Sequence, residues 1–336
     1  MPYIGVIGAG SWGTALAVVL AGKGYDVSLW AYEHDLAAAM RTERVNQVYL
    51  PEVQLPESLR VTGDISECVE KSRFIVCAVP SQFVRGVFAE ASRHFESDAV
   101  VVSAAKGIEK GTLKTVSEVL GDVCSNRVAV LSGPSFAKEV VRGLPTAVTL
   151  ASEDRRVSML LQEILTTDTF RVYTHHDVRG AELGGALKNV IAIASGISDG
   201  LSLGFNARAA LITRGIAEIT RLGVKMGADG RTFSGLSGIG DLVLTCTGAL
   251  SRNYTVGIKL GEGMRIRDIV GSTRSIAEGI ETSESAQQLS LRHGVDMPIV
   301  EQVYLVLHRE KSPREAVIDL MSRSLKDEFY EGQSTG

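Results

Sequence analysis

Two polar side chains interrupt an apolar segment rich in small residues. They are Lys188 and Asn189, in Gly184-Gly185-Ala186-Leu187-Lys188-Asn189-Val190-Ile191-Ala192. A buried lysine without a partner is costly. Desolvation lowers its pKa, so that it exchanges a proton near neutral pH or polarises a carbonyl. A snorkelling lysine at a helix surface is the alternative that the residues leave open. Asp241, in Gly238-Ile239-Gly240-Asp241-Leu242, suits either a helix N-cap or a carboxylate that orients a lysine or binds a hydroxyl. Ser251-Arg252-Asn253 joins a strong phosphate donor to two neutral hydrogen-bonding groups. Ala105-Lys106-Gly107 and Ser132-Gly133-Pro134-Ser135-Phe136-Ala137 each follow an apolar run, where strand ends present ligands. His175-His176-Asp177 is the nearest approach to a metal set. Adjacent residues on an extended chain are expected to face opposite ways, and no H-E-x-x-H or Cys/His cluster accompanies them, so no metal is expected. There is no hydrolase signature of the G-x-S-x-G kind.

The elements that must position these groups start at the N-terminus. Tyr3 to Leu20 reads as an apolar strand, a turn with Gly8, Gly10 and Gly13 in the spacing G-x-G-x-x-G, and an apolar helix. That order is the context of a dinucleotide fingerprint. Gly8 turns the chain sharply, Gly10 lets a pyrophosphate approach, and Gly13 lets helix and strand pack closely. The helix N-terminus then faces the phosphates. Further strands are read at Val27–Trp30, Phe74–Val79, Ala99–Ser103, Val128–Leu131, Thr146–Ala151 and Thr169–Tyr173, with helices at Asp35–Thr42, Val84–His94 and Arg155–Leu165. Such alternation implies a doubly wound, mostly parallel α/β sheet, with ligands at the strand C-terminal ends. Beyond His175 the pattern turns helical: Gly180–Ser198, Asn206–Met226, Ser283–Arg292, Ile299–His308 and Pro313–Ser322. We therefore expect a nucleotide-binding domain over residues 1–177, a helical substrate domain over 178–325, and a mobile tail over 326–336.

Composition narrows the classes. The 336 residues are 45% hydrophobic and 22% charged, with net charge −4 and no basic block to bind nucleic acid. Cys68, Cys77, Cys124 and Cys246 form no C-x-x-C pair and are read as free thiols. No signal peptide is visible, no apolar run reaches the ~20 residues of a membrane span, and a cytoplasmic location is expected. The Asn253-Tyr254-Thr255 sequon is read as chance.

An NAD-preferring site usually has Asp or Glu at the end of its second strand. Here that position reads Leu29-Trp30-Ala31-Tyr32, with Glu33 just beyond. The missing carboxylate favours NADP, with NAD possible, and Arg41 or Arg44 are candidates for a 2′-phosphate. Nothing indicates the extra segments of a flavin site.

Together these residues resemble the bacterial-type NAD(P)-dependent glycerol-3-phosphate dehydrogenases. The carriers are GAGSWGTALA (residues 8–17), AAKGIE (104–109), SGPSFAKEV (132–140), ELGGALKNVIAIASGI (182–197), GIGDLVLTCTG (238–248), SRN (251–253) and EGIET (278–282), in the family's order. The resemblance implies a Rossmann domain followed by an all-α domain of the 6-phosphogluconate dehydrogenase-like type. It implies interconversion of dihydroxyacetone phosphate and sn-glycerol 3-phosphate, a role in supplying phospholipid synthesis, and a homodimer. It assigns Lys188 as general acid/base, with Lys106 and Asp241 holding substrate oxygens and tuning it. Gly133, Ser135, Ser251, Arg252 and Asn253 would bind substrate. Gly8, Gly10, Ser11, Trp12, Gly13, Tyr32, Lys106, Ala137, Arg252 and Glu278 would contact cofactor. It also gives Gly184 and Gly185 a purpose, close approach of their helix to ligand. The rival readings are a β-hydroxyacid or ketopantoate-type dehydrogenase, which would not need the Ser251-Arg252-Asn253 clamp, and a non-catalytic dinucleotide sensor, which should lack one of Lys106, Lys188 and Asp241.

Overall fold

The structure, a computed structural model, describes residues 2–271, 277–325, 327 and 328. Apart from residues 327 and 328, the tail expected from 326 lies outside them.

Strand β1 (Tyr3–Ile7) runs up the middle of an eight-stranded sheet. To one side lie β2 (Asp26–Trp30) and, after the small antiparallel pair β3 (Val45–Asn46) and β4 (Leu50–Gln54), β5 (Arg60–Thr62). To the other side follow β6 (Ser72–Cys77), β7 (Val100–Ser103), β8 (Arg127–Ser132), β9 (Thr146–Ala151) and β10 (Phe170–His175). Within the eight-stranded sheet all neighbours are parallel except β8 and β9. Strand order reverses between β1 and β6, so a crevice opens above the β1 end, where α/β sheets bind ligands. Helices α1 (Ser11–Gly22), α2 (His34–Glu43), α3 (Ile65–Val69), α4 (Val84–Ala91), α5 (Val116–Val123), α6 (Ala137–Val141) and α7 (Arg155–Leu165) complete this half. Separate apolar clusters, around Leu16, Leu29 and Val76 and around Ile75, Phe88 and Val101, cover the two sheet faces.

Local chemistry sets several boundaries. Asp64 caps α3, accepting from Ser66 N–H at 2.8 Å, and Asp154 caps α7 through Arg156 N–H at 2.8 Å. Thr115 and Glu118 form a capping box at α5. The β3–β4 pair, β5, α3, α5 and α6 escape a periodicity reading because they are short. The apolar run at Phe74 starts its strand earlier, at Ser72, and stops at Cys77.

The second half is organised around α8 (Val178–Gly200), in which every residue from Gly180 to Ser198 is buried. A helix apolar on all sides is the axis of its domain. Around it pack α9 (Gly204–Lys225), α10 (Asp241–Thr247), α11 (Arg252–Gly261), α12 (Ile266–Gly271), α13 (Glu278–His293), α14 (Pro298–His308) and α15 (Pro313–Met321). Glu218, 1% exposed on α9, accepts the Ile299 and Val300 N–H groups at 2.8 and 3.2 Å, and so caps α14 from another helix. Asp177 starts α8, accepting from Gly180 N–H at 2.9 Å, and also holds Asp229 N–H and the Thr232 hydroxyl.

The His175 and His176 rings do not face opposite ways. They stack, with centroids 4.9 Å apart and planes at 18°. The chain leaves the strand there, and the strict alternation of an extended backbone ends with it. The four cysteines are free thiols.

Candidate active site

The glycine turn leads from β1 into α1 above the crevice. Gly8 has φ +114°, and a Cβ there would stand 2.7 Å from the Ala78 carbonyl oxygen, so only glycine fits. A Cβ on Gly13 would run into the Gly8 carbonyl. On Gly10 the same atom would enter open space. Gly10 is the N-cap of α1 without a capping side chain, and the first turn carries no acid. Asn46 braces the turn from β3, donating to the Ala9 carbonyl at 2.8 Å and to Thr14 Oγ1 at 2.9 Å. Ser11 Oγ donates to the Tyr49 carbonyl at 2.8 Å, and the Trp12 ring packs against Phe170 at 6.4 Å. This cradle fits a dinucleotide pyrophosphate: backbone donors, a positive helix end and room beside Gly10.

At the far end of β2, Tyr32 is 74% exposed and meets the Trp30 ring edge-on at 6.0 Å. Glu33 is near, its carboxylate accepting from the Tyr49 hydroxyl at 3.4 Å. Arg44 is committed elsewhere: its guanidinium donates to the Pro56 and Leu59 carbonyls. Of the two arginines considered for a 2′-phosphate, only Arg41 remains exposed.

The reactive cluster lies where α8 meets the sheet. Lys188 is no snorkelling residue, its side chain being 8% exposed. It donates to Asp241 Oδ1 and, at 2.8 Å, to Thr245 Oγ1. Lys106, from the loop after β7, donates to the other carboxylate oxygen, Oδ2, at 2.7 Å and to the Gly133 carbonyl at 2.9 Å. Asp241 does not cap α10. Gly240 holds that position and Asp241 is the first helical residue, which aims its side chain back at the two lysines. Burial drives the Lys188 pKa down to about 8; Asp241 opposes this and the Lys106 ammonium reinforces it. Thr245 was not foreseen. It lies four residues after Asp241, on the same face of α10, and its hydroxyl donates to the Asp241 carbonyl at 2.6 Å.

Gly184 and Gly185 admit close protein neighbours. A Cβ on Gly184 would overlap the Ser237 carbonyl in the π-helical turn Leu236–Gly240, which delivers Asp241. One on Gly185 would stand 2.7 Å from Ser132 Oγ and 3.6 Å from Lys106 Cγ. The same close approach thus brings Lys188, Lys106 and Asp241 together.

Gly133, at the β8 end, is held by Lys106 and by Ser135 Oγ, which donates to its carbonyl at 3.0 Å. Ala137 opens α6 nearby. Ser251 spends its hydroxyl as the N-cap of α11, accepting from Tyr254 N–H at 3.2 Å. Arg252, next in the chain, is exposed, yet the surrounding walls push its guanidinium pKa down while Glu278 and Tyr49 act electrostatically to raise it. Its charged and polar neighbours are thus Glu278 on α13 and Tyr49, whose carbonyl Ser11 holds. Asn253 is buried, with Oδ1 accepting from Gly279 N–H at 3.0 Å. Glu278, at the start of α13, reaches across to Ser81 in the loop after β6.

A family model described as the NAD-dependent glycerol-3-phosphate dehydrogenase N-terminus matches residues 3–158, and its C-terminal counterpart matches residues 177–318. The chain belongs to the NAD-dependent glycerol-3-phosphate dehydrogenase family. Among its relatives, the glycerol-3-phosphate dehydrogenase, NAD(P)+, of Geobacter sulfurreducens is 56% identical over 331 residues, covering 97% of this chain and 99% of that protein. The Coxiella burnetii glycerol-3-phosphate dehydrogenase crystal structure superposes with a TM-score of 0.93 at 42% identity, covering 96% of this chain and 99% of the other. A ketopantoate reductase from Ralstonia eutropha, at 15% identity and TM-score 0.62 over 94% of this chain and 99% of that one, shares the fold alone. Family membership favours none of the rival readings. Among the described residues, no helix is long and apolar enough to cross a membrane.

Proposed function

We propose that this chain catalyses the NAD(P)-dependent interconversion of dihydroxyacetone phosphate and sn-glycerol 3-phosphate, with Lys188 as general acid/base. The observation that carries this is one buried carboxylate, Asp241, gripped on its two oxygens by Lys188 and Lys106 beside the strand ends of a dinucleotide fold. A reduced nicotinamide bound at the α1 turn would supply the hydride to the carbonyl carbon. Lys188, as the ammonium, gives its proton to the carbonyl oxygen, and in the reverse direction the neutral amine takes the proton from the hydroxyl. Lys106 stabilises negative charge developing on that oxygen. Thr245 and Asp241 keep the Lys188 amine in one direction. Arg252 and Asn253 hold the phosphate, whose binding energy positions the carbonyl. Gly133 and Ser135 line the substrate side. The α1 turn with Ser11 and Trp12, together with Tyr32, Ala137 and Glu278, holds the cofactor.

The reading favours NADPH over NADH because β2 ends without a carboxylate and Glu33 is engaged by Tyr49. We assign residues 1–177 to the nucleotide domain and 178–325 to the substrate domain. A groove of about 1040 Å³ lies among α8, α9, α14 and α15, away from Lys188. Phe205, Ile318 and Met321, 79%, 63% and 81% exposed, stand on these helices. This apolar face suits a second copy of the chain. Sedimentation with a Met321→Glu variant tests it, and an unchanged dimer would remove the assignment.

The deciding measurement is oxidation of NADPH or NADH by the purified protein with dihydroxyacetone phosphate. Lys188→Ala should cut kcat by about 10²–10⁴-fold and leave NADPH binding intact. An unaltered kcat would end the assignment of Lys188.

A further inference from the structure

We infer that Ser81 and Gln82, in the loop after β6, are positioning residues that hold Lys106 against Asp241, an inference that rests on the dehydrogenase reading above. Ser81 is 1% exposed and Gln82 half-buried. The Ser81 backbone N–H donates to Glu278 Oε1 at 3.0 Å and its hydroxyl to Oε2 at 2.6 Å. Gln82 Nε2 donates to Ser81 Oγ at 3.2 Å and to the Ile108 carbonyl at 2.9 Å. Gln82 Oε1 accepts from the Lys110 N–H at 2.9 Å. One dipeptide thus grips α13 on one side and, on the other, the loop that carries Lys106.

The loop has a second tie to α13, from Lys110 Nζ to Glu284 at 2.7 Å and Glu281 at 3.4 Å. Those pairs are solvent-accessible, and such pairs restrain little. The bonds from Ser81 to Glu278 are charge-assisted and enclosed, so they are the firmer link. Lys106 needs that firmness. Its ammonium reaches Asp241 and Gly133 only at hydrogen-bonding distance, and it starts from a loop without regular structure. A shift of about 1 Å at such a group costs as much as 10²-fold in rate.

Lys106 also acts on Lys188 through charge. Among the described residues, the groups that act on Lys188 include Asp241, Thr245 and Cys246 from α10 and Lys106 from the loop. Withdrawing Lys106 removes a cation that lowers the Lys188 pKa. The Lys188 pKa must then rise above about 8. A loop that mattered only for folding would leave that value alone.

The test uses the full chain with Gln82→Ala and Ser81→Ala, NADPH and dihydroxyacetone phosphate, and a pH series through 8. Expected in both variants is a kcat about 10-fold lower or more, a smaller change in KM for NADPH, and an alkaline limb displaced to higher pH. Gln82 is half-buried, so its variant keeps the test open if Ser81→Ala folds poorly. Folded variants with wild-type kcat and an unmoved limb would overturn the inference. So would activity lost only in proportion to folded protein, measured by thermal melting. Wild-type protein that oxidises no NADPH with this substrate overturns the functional reading instead.

Discussion

Lys188 and Asp241 are joined by a hydrogen bond between side chains 8% and 1% exposed, and Lys106 holds the carboxylate's other oxygen. An amine so placed titrates near about 8. In the reductive direction kcat/KM should be level below that value and fall as pH rises through it, because the ammonium is the acid. In the oxidative direction it should rise through the same range. Lys106→Met removes a cation that lowers the Lys188 pKa, so the reductive limb should move upward. Initial rates in both directions across pH check this, and a limb that stays in place in Lys106→Met would remove the proposed charge coupling.

Arg252→Ala should raise KM for dihydroxyacetone phosphate about 10- to 100-fold, the worth of a charge-assisted hydrogen bond. The effect on unphosphorylated dihydroxyacetone should be much smaller. Steady-state kinetics on the two substrates decide it. Equal losses would assign Arg252 to the cofactor alone.

Burial pushes the Glu218 carboxyl up to about 7 from an ordinary 4.5. Between these values the native chain holds a proton that the unfolded chain has released. The stability this group contributes is full below 4.5 and is lost as pH rises toward 7. Glu218→Gln should flatten that slope, on the order of 3 kcal/mol across the window. Melting temperatures of both proteins against pH measure it; parallel curves would refute the linkage.

Gly184→Ala places a methyl group against the Ser237 carbonyl, in the turn that delivers Asp241. Overpacking of this kind costs about 1–3 kcal/mol. We expect a lower Tm and, because Asp241 must move with the turn, a lower kcat with NADPH binding unchanged. A variant that melts early at full kcat would separate packing from the site.

Much of the site was legible beforehand because its chemistry is carried by residue types that are costly where they stand. Lys188 in an apolar helix, the glycines after β1 and the arginine beside Ser251 each mark themselves locally. The glycines at 184 and 185 mark a close approach in sequence, but not its partners: Gly184 lies against the Ser237 turn and Gly185 against Ser132 and Lys106, all distant in sequence. Ser81 gave no signal of its own. Its partner, Glu278, is 197 residues away, and a serine after a Val-Pro pair is unremarkable in sequence.

By itself the sequence determined the strand–helix alternation, the nucleotide turn and the split into an α/β half and an α half, because these follow from periodicity and from backbone conformations that only glycine permits. Tertiary structure alone decided which oxygens of Asp241 meet which lysine, that Arg44 is spent on carbonyls, and that α13 is bound to the loop after β6. Those outcomes depend on where long-range packing sets rigid elements to within about 1 Å, and no local pattern records such a distance.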